Sequence, residues 1–245
     1  MGQAQGSLEY MLLIGGAIVI AVAAIALLLG TATTSQKSTE EGIDKVELQK
    51  IQGFTNVDMS GTVQFFRFEK GTYVVSDNTR GNVANFTGTY ITHSTGGMNP
   101  KQGTVMGWVY PTQPVSWGFW QTRDEGGADW PEWIGMFAWP TSNFYFRIVG
   151  TPDLIFPTSY ITTNQWNHLA FTWGTQGGAN VKKVYINGVD KGSVTTASFP
   201  NGIDPNARLG QTYNFPTQGK LDDVIIMNRA LSGQEIFSIY NYQKK

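Results

Sequence analysis

Two patterns of hydrophobic positions divide the chain. From Met11 to Leu29 no residue is charged. At a helical rise of about 1.5 Å per residue this run reaches roughly 30 Å, the thickness of a hydrocarbon layer, and it predicts a membrane-spanning helix. Gly15, Gly16, Ala17, Ala21, Ala23, Ala24 and Ala26 interrupt its bulky positions. Small residues of this kind allow close approach of helices in an apolar medium. On apolarity alone, a single-span anchor or the apolar part of a cleaved secretory signal fits as well. Beyond Gly30 the chain turns polar, with an apolar set at Ile43, Val46, Leu48 and Ile51, of which Ile43, Val46 and Leu48 roughly fit a helical stripe. That stripe predicts a helix to about Lys50, with a break within Gly30 to Ser38 and a stop at Gly53.

After Gly53 the period shortens to that of strands. Thr62–Phe68, Thr72–Val75, Tyr90–Thr92, Thr104–Tyr110, Phe144–Val149, His168–Trp173, Val181–Ile186 and Leu221–Met227 are β-rich runs separated by turn residues. Many short strands at such spacing predict a sandwich or barrel. Asn187-Gly188 supplies the two positive-φ residues of a type I′ hairpin, with the return strand through Lys191 to Thr195. Leu231-Ser232 followed by Glu235, Ile236, Phe237, Ile239 and Tyr240 predicts a short C-terminal helix packed on the sheet.

Composition narrows the function. Charged residues are 14% of the chain and the net charge is -1, so no extended cationic face is available to hold the phosphates of a nucleic acid. Cysteine is absent, which excludes disulfides, thiolate metal sites and thiol catalysis. The 29 glycines, 10 prolines and 13% aromatic residues suit a sheet protein rich in turns and ring-filled layers.

Gln5-Gly6-Ser7-Leu8-Glu9-Tyr10, directly before the apolar run, resembles the class III signal peptide of archaeal type IV pilins. The resemblance implies cleavage by a prepilin peptidase between Ala4 and Gln5, which retains the apolar helix and makes Glu9 the fifth mature residue. It also implies that Glu9 acts in assembly, paired with the N-terminal amine of a neighbouring subunit, because a carboxylate at the edge of an apolar helix needs a cationic partner or the water interface. The leader Met1-Gly2-Gln3-Ala4 departs from the family in carrying no Lys or Arg.

Between Gly71 and Tyr242 the sequence resembles a laminin-G-like, concanavalin-type jelly roll. The resemblance is carried in order by Asn85 to Ile91, Gly103 to Pro111, Gln165 to Trp173, Lys183 to Gly188, and Gly219 to Ile226 with Asn228 to Ser232. The expected organisation is a leader over 1–4, a transmembrane and filament-core helix over 5–53, and the β-sandwich over 54–245.

Several residues are candidates for binding. In many laminin-G-like domains the first Asp of the closing motif helps to bind calcium, so the resemblance gives Asp222 that role; the alternative is a carboxylate accepting backbone N–H bonds at a sheet edge. Strand alternation places Asp222 with Val224 and Ile226 on one face, and Asp223 with Leu221 and Ile225 on the other. Trp117, Phe119, Trp120, Trp130, Trp133 and Trp139 crowd one segment with Arg123 and Asp124. Rings beside polar groups suit sugar stacking, with Trp120 and Trp130 as the glycan-binding candidates; core or subunit packing is the competing use. Asn85-Phe86-Thr87 is an N-glycosylation sequon. Asp124, Glu125, Asp129 and Glu132 lie in a Gly-rich, Pro-containing stretch expected to be a solvated loop, and the strand signature of jelly-roll glycoside hydrolases is missing. The expectation is no enzyme. His93 and His168 are expected to be structural.

The sequence therefore reads as a pilin, the structural subunit of an archaeal type IV pilus-like surface filament. The subunits would pass through the cytoplasmic membrane before assembling on a platform into a homopolymer that displays the sandwiches for adhesion. The alternative is a membrane-anchored, lectin-like adhesin that binds glycans without polymerising.

Overall fold

The computed structural model describes residues 45–68, 74–122, 133–212 and 215–244. Ala4, Gln5, Glu9, Trp130 and the apolar run from Met11 to Leu29 lie outside them, and the described residues contain no helix long and apolar enough to cross a membrane. The chain forms two units, Met1–Gln49 and Lys50–Lys245.

A helix over 45–55 (α1) runs past the expected stop at Gly53. It ends instead at Asn56, whose φ of 55° is left-handed and whose amide donates to the Gln52 carbonyl at 2.8 Å. Asn tolerates this conformation almost as well as Gly.

The strands follow as β1 (Thr62–Phe66), β2 (Val74–Asp77), β3 (Gly81–Thr87), β4 (Ile91–Ser94), β5 (Gly103–Pro111) and β6 (Trp117–Thr122). Then come β7 (Ile134–Ala138), β8 (Asn143–Ile148), β9 (Leu154–Pro157), β10 (Asn167–Gln176), β11 (Ala179–Ile186) and β12 (Val189–Thr196). The last are β13 (Asn206–Leu209), β14 (Gln211–Thr212), β15 (Phe215–Pro216) and β16 (Gln218–Met227), with helix α2 (Gly233–Gln243) at the end. One sheet has the order β12-β11-β10-β5-β16-β3-β2, with β1 added beside β16; a second has the order β4-β13-β6-β7-β8-β9. Every pairing is antiparallel. The fold is an all-β sandwich of the jelly-roll kind.

Alternation builds the core. Val105, Val109, Leu169, Phe171, Val184 and Leu221 of the first sheet face Trp117, Phe119, Met136, Phe144 and Phe146 of the second. Phe144 stacks on Phe171, with centroids 5.6 Å apart and planes 14° from parallel. Asn187 and Gly188 take φ of 52° and 76°, as the hairpin requires. Helix α2 begins with a full capping box between Ser232 and Glu235, and buries Ile236 and Ile239.

The closing strand departs from simple alternation. In β16, Asp222 opposes Trp108, yet Ile225 opposes Met106, so Asp223 and Val224 share the place opposite Gly107. Asp223 adopts φ of 46° to make this bulge. The bulge resets the phase: Leu221, Val224 and Ile226 all enter the core. The expectation that Asp222 and Asp223 lie on opposite faces is corrected, since both carboxylates reach one guanidinium on the outer side.

Candidate functional site

The outer face of the second sheet carries a candidate ligand surface. In β7, β8 and β9 the residues Ile134, Met136, Ala138, Phe144, Phe146, Ile148, Leu154 and Phe156 point into the core. Phe137, Tyr145, Arg147 and Ile155 therefore project outward. Register places Phe137 opposite Tyr145 and Tyr145 opposite Ile155, a row of three across adjacent strands. At the usual strand spacing the row's two solvent-reaching members, Tyr145 and Ile155, lie about 5 Å apart, enough for about one sugar ring. Exposure rises along it, from buried Phe137 through half-buried Tyr145 to Ile155, which is 49% exposed.

Two walls frame the row. Trp139 packs edge-on against Phe137 at 5.8 Å, Tyr145 at 6.5 Å and Phe215 at 5.2 Å. On the other side Arg147 lies 5.7 Å from the Phe137 ring and 5.8 Å from that of Tyr145. Asp153 fixes its guanidinium from both oxygens, at 2.8 and 2.5 Å. Glycines let neighbouring groups build up the flanks. A side chain at Gly118 would collide with the Thr212 amide at 2.2 Å, so glycine lets the β14–β15 hairpin lie on β6. There Thr212 donates its hydroxyl to the Met136 carbonyl at 3.1 Å, and Thr217 donates to that of Gly118. Gly135 similarly leaves room for the Trp133 ring, whose N–H donates to Gln121 Oε1 at 3.2 Å. Rings, a hydroxyl and an oriented Arg–carboxylate pair on an extended face offer stacking to sugar C–H surfaces and hydrogen bonds to hydroxyls.

The sequence candidates fall elsewhere. Trp120 is wholly buried in the core, which corrects its assignment to glycan binding. Its indole N–H donates to His93 Nε2 at 2.9 Å, leaving Nδ1 to donate to the Ser94 carbonyl at 3.0 Å. Burial pushes the His93 pKa down against the Ser94 contact. Trp117 and Phe119 are core residues too, and of the aromatic group Trp139 reaches the outer face half-buried. Asn85 is half-buried within β3, opposite Lys220 of β16. Phe137, Tyr145, Arg147 and Ile155 were missed. Their signal was the alternation of Asn143 to Ile148, whose outward phase holds Tyr145 and Arg147.

Asp222 is satisfied by an arginine. Arg80, in the turn between β2 and β3, donates from Nε to Asp222 Oδ2 at 2.8 Å, from Nη2 to Asp223 Oδ2 at 2.6 Å and from Nη1 to the Gln243 carbonyl at 3.1 Å. Its guanidinium lies 4.3 Å from the Trp108 ring. The described residues hold no group of three or more side chains arranged for a metal ion. The expected calcium role of Asp222 is thus corrected, because a guanidinium already neutralises that carboxylate. Nearby, Asp77 is pushed up by burial but held down to about 2 by Lys220 at 2.6 Å, the Thr79 and Arg80 amides and the Trp166 indole N–H. His168 packs between Trp108 and Tyr240 with centroids at 5.3 and 5.7 Å, and burial, reinforced by Arg80, lowers its pKa to about 3.

The sequence pattern of the concanavalin A-like lectin/glucanases superfamily matches residues 85–237. No curated protein matches the chain. Among solved structures, it is similar to domain 4 of AbnA, an extracellular GH43 arabinanase from Geobacillus stearothermophilus, in complex with arabinotriose. The identity is 26%, over 72% of this chain and 86% of that one, with a TM-score of 0.54. It also resembles the Trypanosoma rangeli sialidase bound to difluorosialic acid, at 15% identity, TM-score 0.54 and coverage of 75% of this chain and 33% of the other. The receptor-binding domain of botulinum neurotoxin type G matches at 14% identity and a TM-score of 0.50, over 75% and 52%. The chain thus spans a third of the sialidase and about half of the toxin domain, and at these identities both likenesses are of fold alone.

Proposed function

We propose that this chain, which belongs to the concanavalin A-like lectin/glucanases superfamily, is a glycan-binding protein displayed at the cell surface as the subunit of an archaeal type IV pilus-like filament. The observation that carries the binding half is the solvent-reaching Tyr145–Ile155 pair beside buried Phe137, with Trp139 on one side and the Arg147–Asp153 pair on the other. The arabinanase domain, whose structure is described as a complex with arabinotriose, supports an oligosaccharide as the ligand. The reading includes no catalytic step, as Asp153 is engaged by Arg147 and serves to orient it. A glycan microarray probed with the full chain tests it. Binding to at least one oligosaccharide, lost in Tyr145→Ala, is expected.

The display half rests on the Gln5-to-Tyr10 motif and the uncharged run that follows it. In this reading prepilin peptidase cuts at Ala4-Gln5, Glu9 guides assembly from the membrane, and the polymer repeats the binding face. Repetition matters because a single shallow face binds weakly, whereas linked sites gain roughly 10² to 10⁴ in avidity without a new contact. Mass spectrometry of the native protein should find Gln5 as the first residue, and electron microscopy should find filaments that are depleted in Glu9→Ala. A mature chain beginning at Met1 would leave an anchored, non-polymerising adhesin as the better reading.

A further inference from the structure

We infer that Arg80 is a built-in cation: it holds together two buried carboxylates and the last helix so that the sandwich closes without a metal ion, and its removal uncovers a site for a divalent cation. The inference is independent of what the sandwich binds.

The bulge at Asp223 brings two adjacent acidic side chains to one side of β16. They are 4% and 10% exposed, so water screens neither well, and like charges this close oppose each other unless a cation lies between them. Arg80, 1% exposed at its side chain, supplies it. Three oxygens from separate places, Asp222 Oδ2, Asp223 Oδ2 and the Gln243 carbonyl, meet three different nitrogens of one planar fork at 2.6 to 3.1 Å. That planar pattern suits guanidinium, whose charge is permanent over the whole accessible pH range. Trp108 backs it at 4.3 Å and Trp166 at 5.5 Å. Arg67 adds a longer contact to the other oxygen of Asp223, 3.7 Å away. The clamp thus joins the β2–β3 turn, the β16 bulge and the C-terminal end of α2, where backbone carbonyls favour a positive charge.

The same oxygens are hard donors. Two carboxylates and a backbone carbonyl form half of a calcium coordination sphere. On the same residue as that carbonyl, the side-chain amide of Gln243 is buried with neither its oxygen nor its nitrogen hydrogen-bonded. With the guanidinium in place, no cation can enter. Without it, the guanidinium that bridges the two carboxylates is gone and the 3.7 Å contact of Arg67 with Asp223 remains, so calcium becomes the nearest substitute in charge and ligand preference.

The experiment compares melting temperatures of the full chain, parent and Arg80→Met, with saturating calcium chloride and with chelator, alongside calorimetric titration with calcium. The parent should melt at the same temperature in both and bind no ion at this site. Arg80→Met should melt roughly 10 °C lower in chelator, regain several degrees in calcium, and lose that gain when Asp222→Asn is added. If Arg80→Met folds only in calcium, the inference also stands. Arg80→Lys, which keeps a positive charge but not the fork, should fold, melt below the parent and ignore calcium. A parent destabilised by chelator, an Arg80→Met chain indifferent to calcium, or an Arg80→Lys chain as calcium-responsive as Arg80→Met overturns the inference.

Discussion

The ring of Tyr145 lies over that of Phe137, with centroids 5.4 Å apart and planes 8° from parallel. The two differ in burial, and so in what their loss should cost. Phe137 is wholly enclosed, and Phe137→Ala should destabilise the domain by about 3–5 kcal/mol. Half-buried Tyr145 should cost only about 1–2 kcal/mol on replacement by Ala. Urea unfolding followed by tryptophan fluorescence measures both. A Tyr145→Ala loss as large as that of Phe137→Ala would make the tyrosine a core residue and remove it from the proposed face.

The acid side of the stability curve should belong largely to His168. Its folded pKa of about 3 lies below the ordinary imidazole value of 6.5, so the native state stays neutral where the unfolded chain takes up a proton. Stability is therefore lost as pH falls from about 6.5 towards about 3, by up to about 1.4 kcal/mol per pH unit. His168→Phe keeps a ring between Trp108 and Tyr240 and removes two buried nitrogens that have no hydrogen-bond partner. At about pH 4, roughly 2.5 pH units below the ordinary imidazole value, the variant should exceed the parent by roughly 3 kcal/mol, with a much smaller difference near neutral pH. Equal slopes in parent and variant would contradict the assignment.

Gly118 should act at a distance on the binding face. Gly118→Ala drives a methyl group towards the Thr212 amide, 2.2 Å away, and should lift the β14–β15 hairpin at a cost of roughly 1–3 kcal/mol. Phe215 would then leave Trp139. Glycan affinity should weaken severalfold although no residue of the row has changed. Unaltered affinity in a folded variant would exclude the hairpin as a wall of the site.

Much of this architecture was readable from local pattern. The β5, β8, β10, β11 and β16 strands, the Asn187-Gly188 turn and the Ser232 cap all follow from period, turn chemistry and capping residues. The proposed glycan face was not, because Trp120 and Tyr145 are both aromatic residues in strands and only the phase of each strand separates core from surface. Within β6 the phase itself slips, since the register shifts between Gly118 and Trp120. The Asp222–Asp223 faces were misread for the same reason: a left-handed residue at Asp223 resets alternation without any glycine to announce it. Arg80 was invisible because its partners lie more than a hundred residues away and its own surroundings, Thr79-Arg80-Gly81, read as an ordinary turn. Fold class needs only local signals; a site built by long-range register does not show in them.

The central claim is that the outer face of the six-stranded sheet binds glycan, and one titration tests it most directly. An oligosaccharide identified on the array is titrated into the full parent chain, Tyr145→Ala, Trp139→Ala and, as a core control, Trp120→Phe, each first shown to be folded by its melting curve. The account predicts at least a tenfold loss of affinity, about 1.4 kcal/mol, for Tyr145→Ala and Trp139→Ala, with Trp120→Phe close to the parent. Affinity unchanged in both face variants, or lost only in Trp120→Phe, would contradict it.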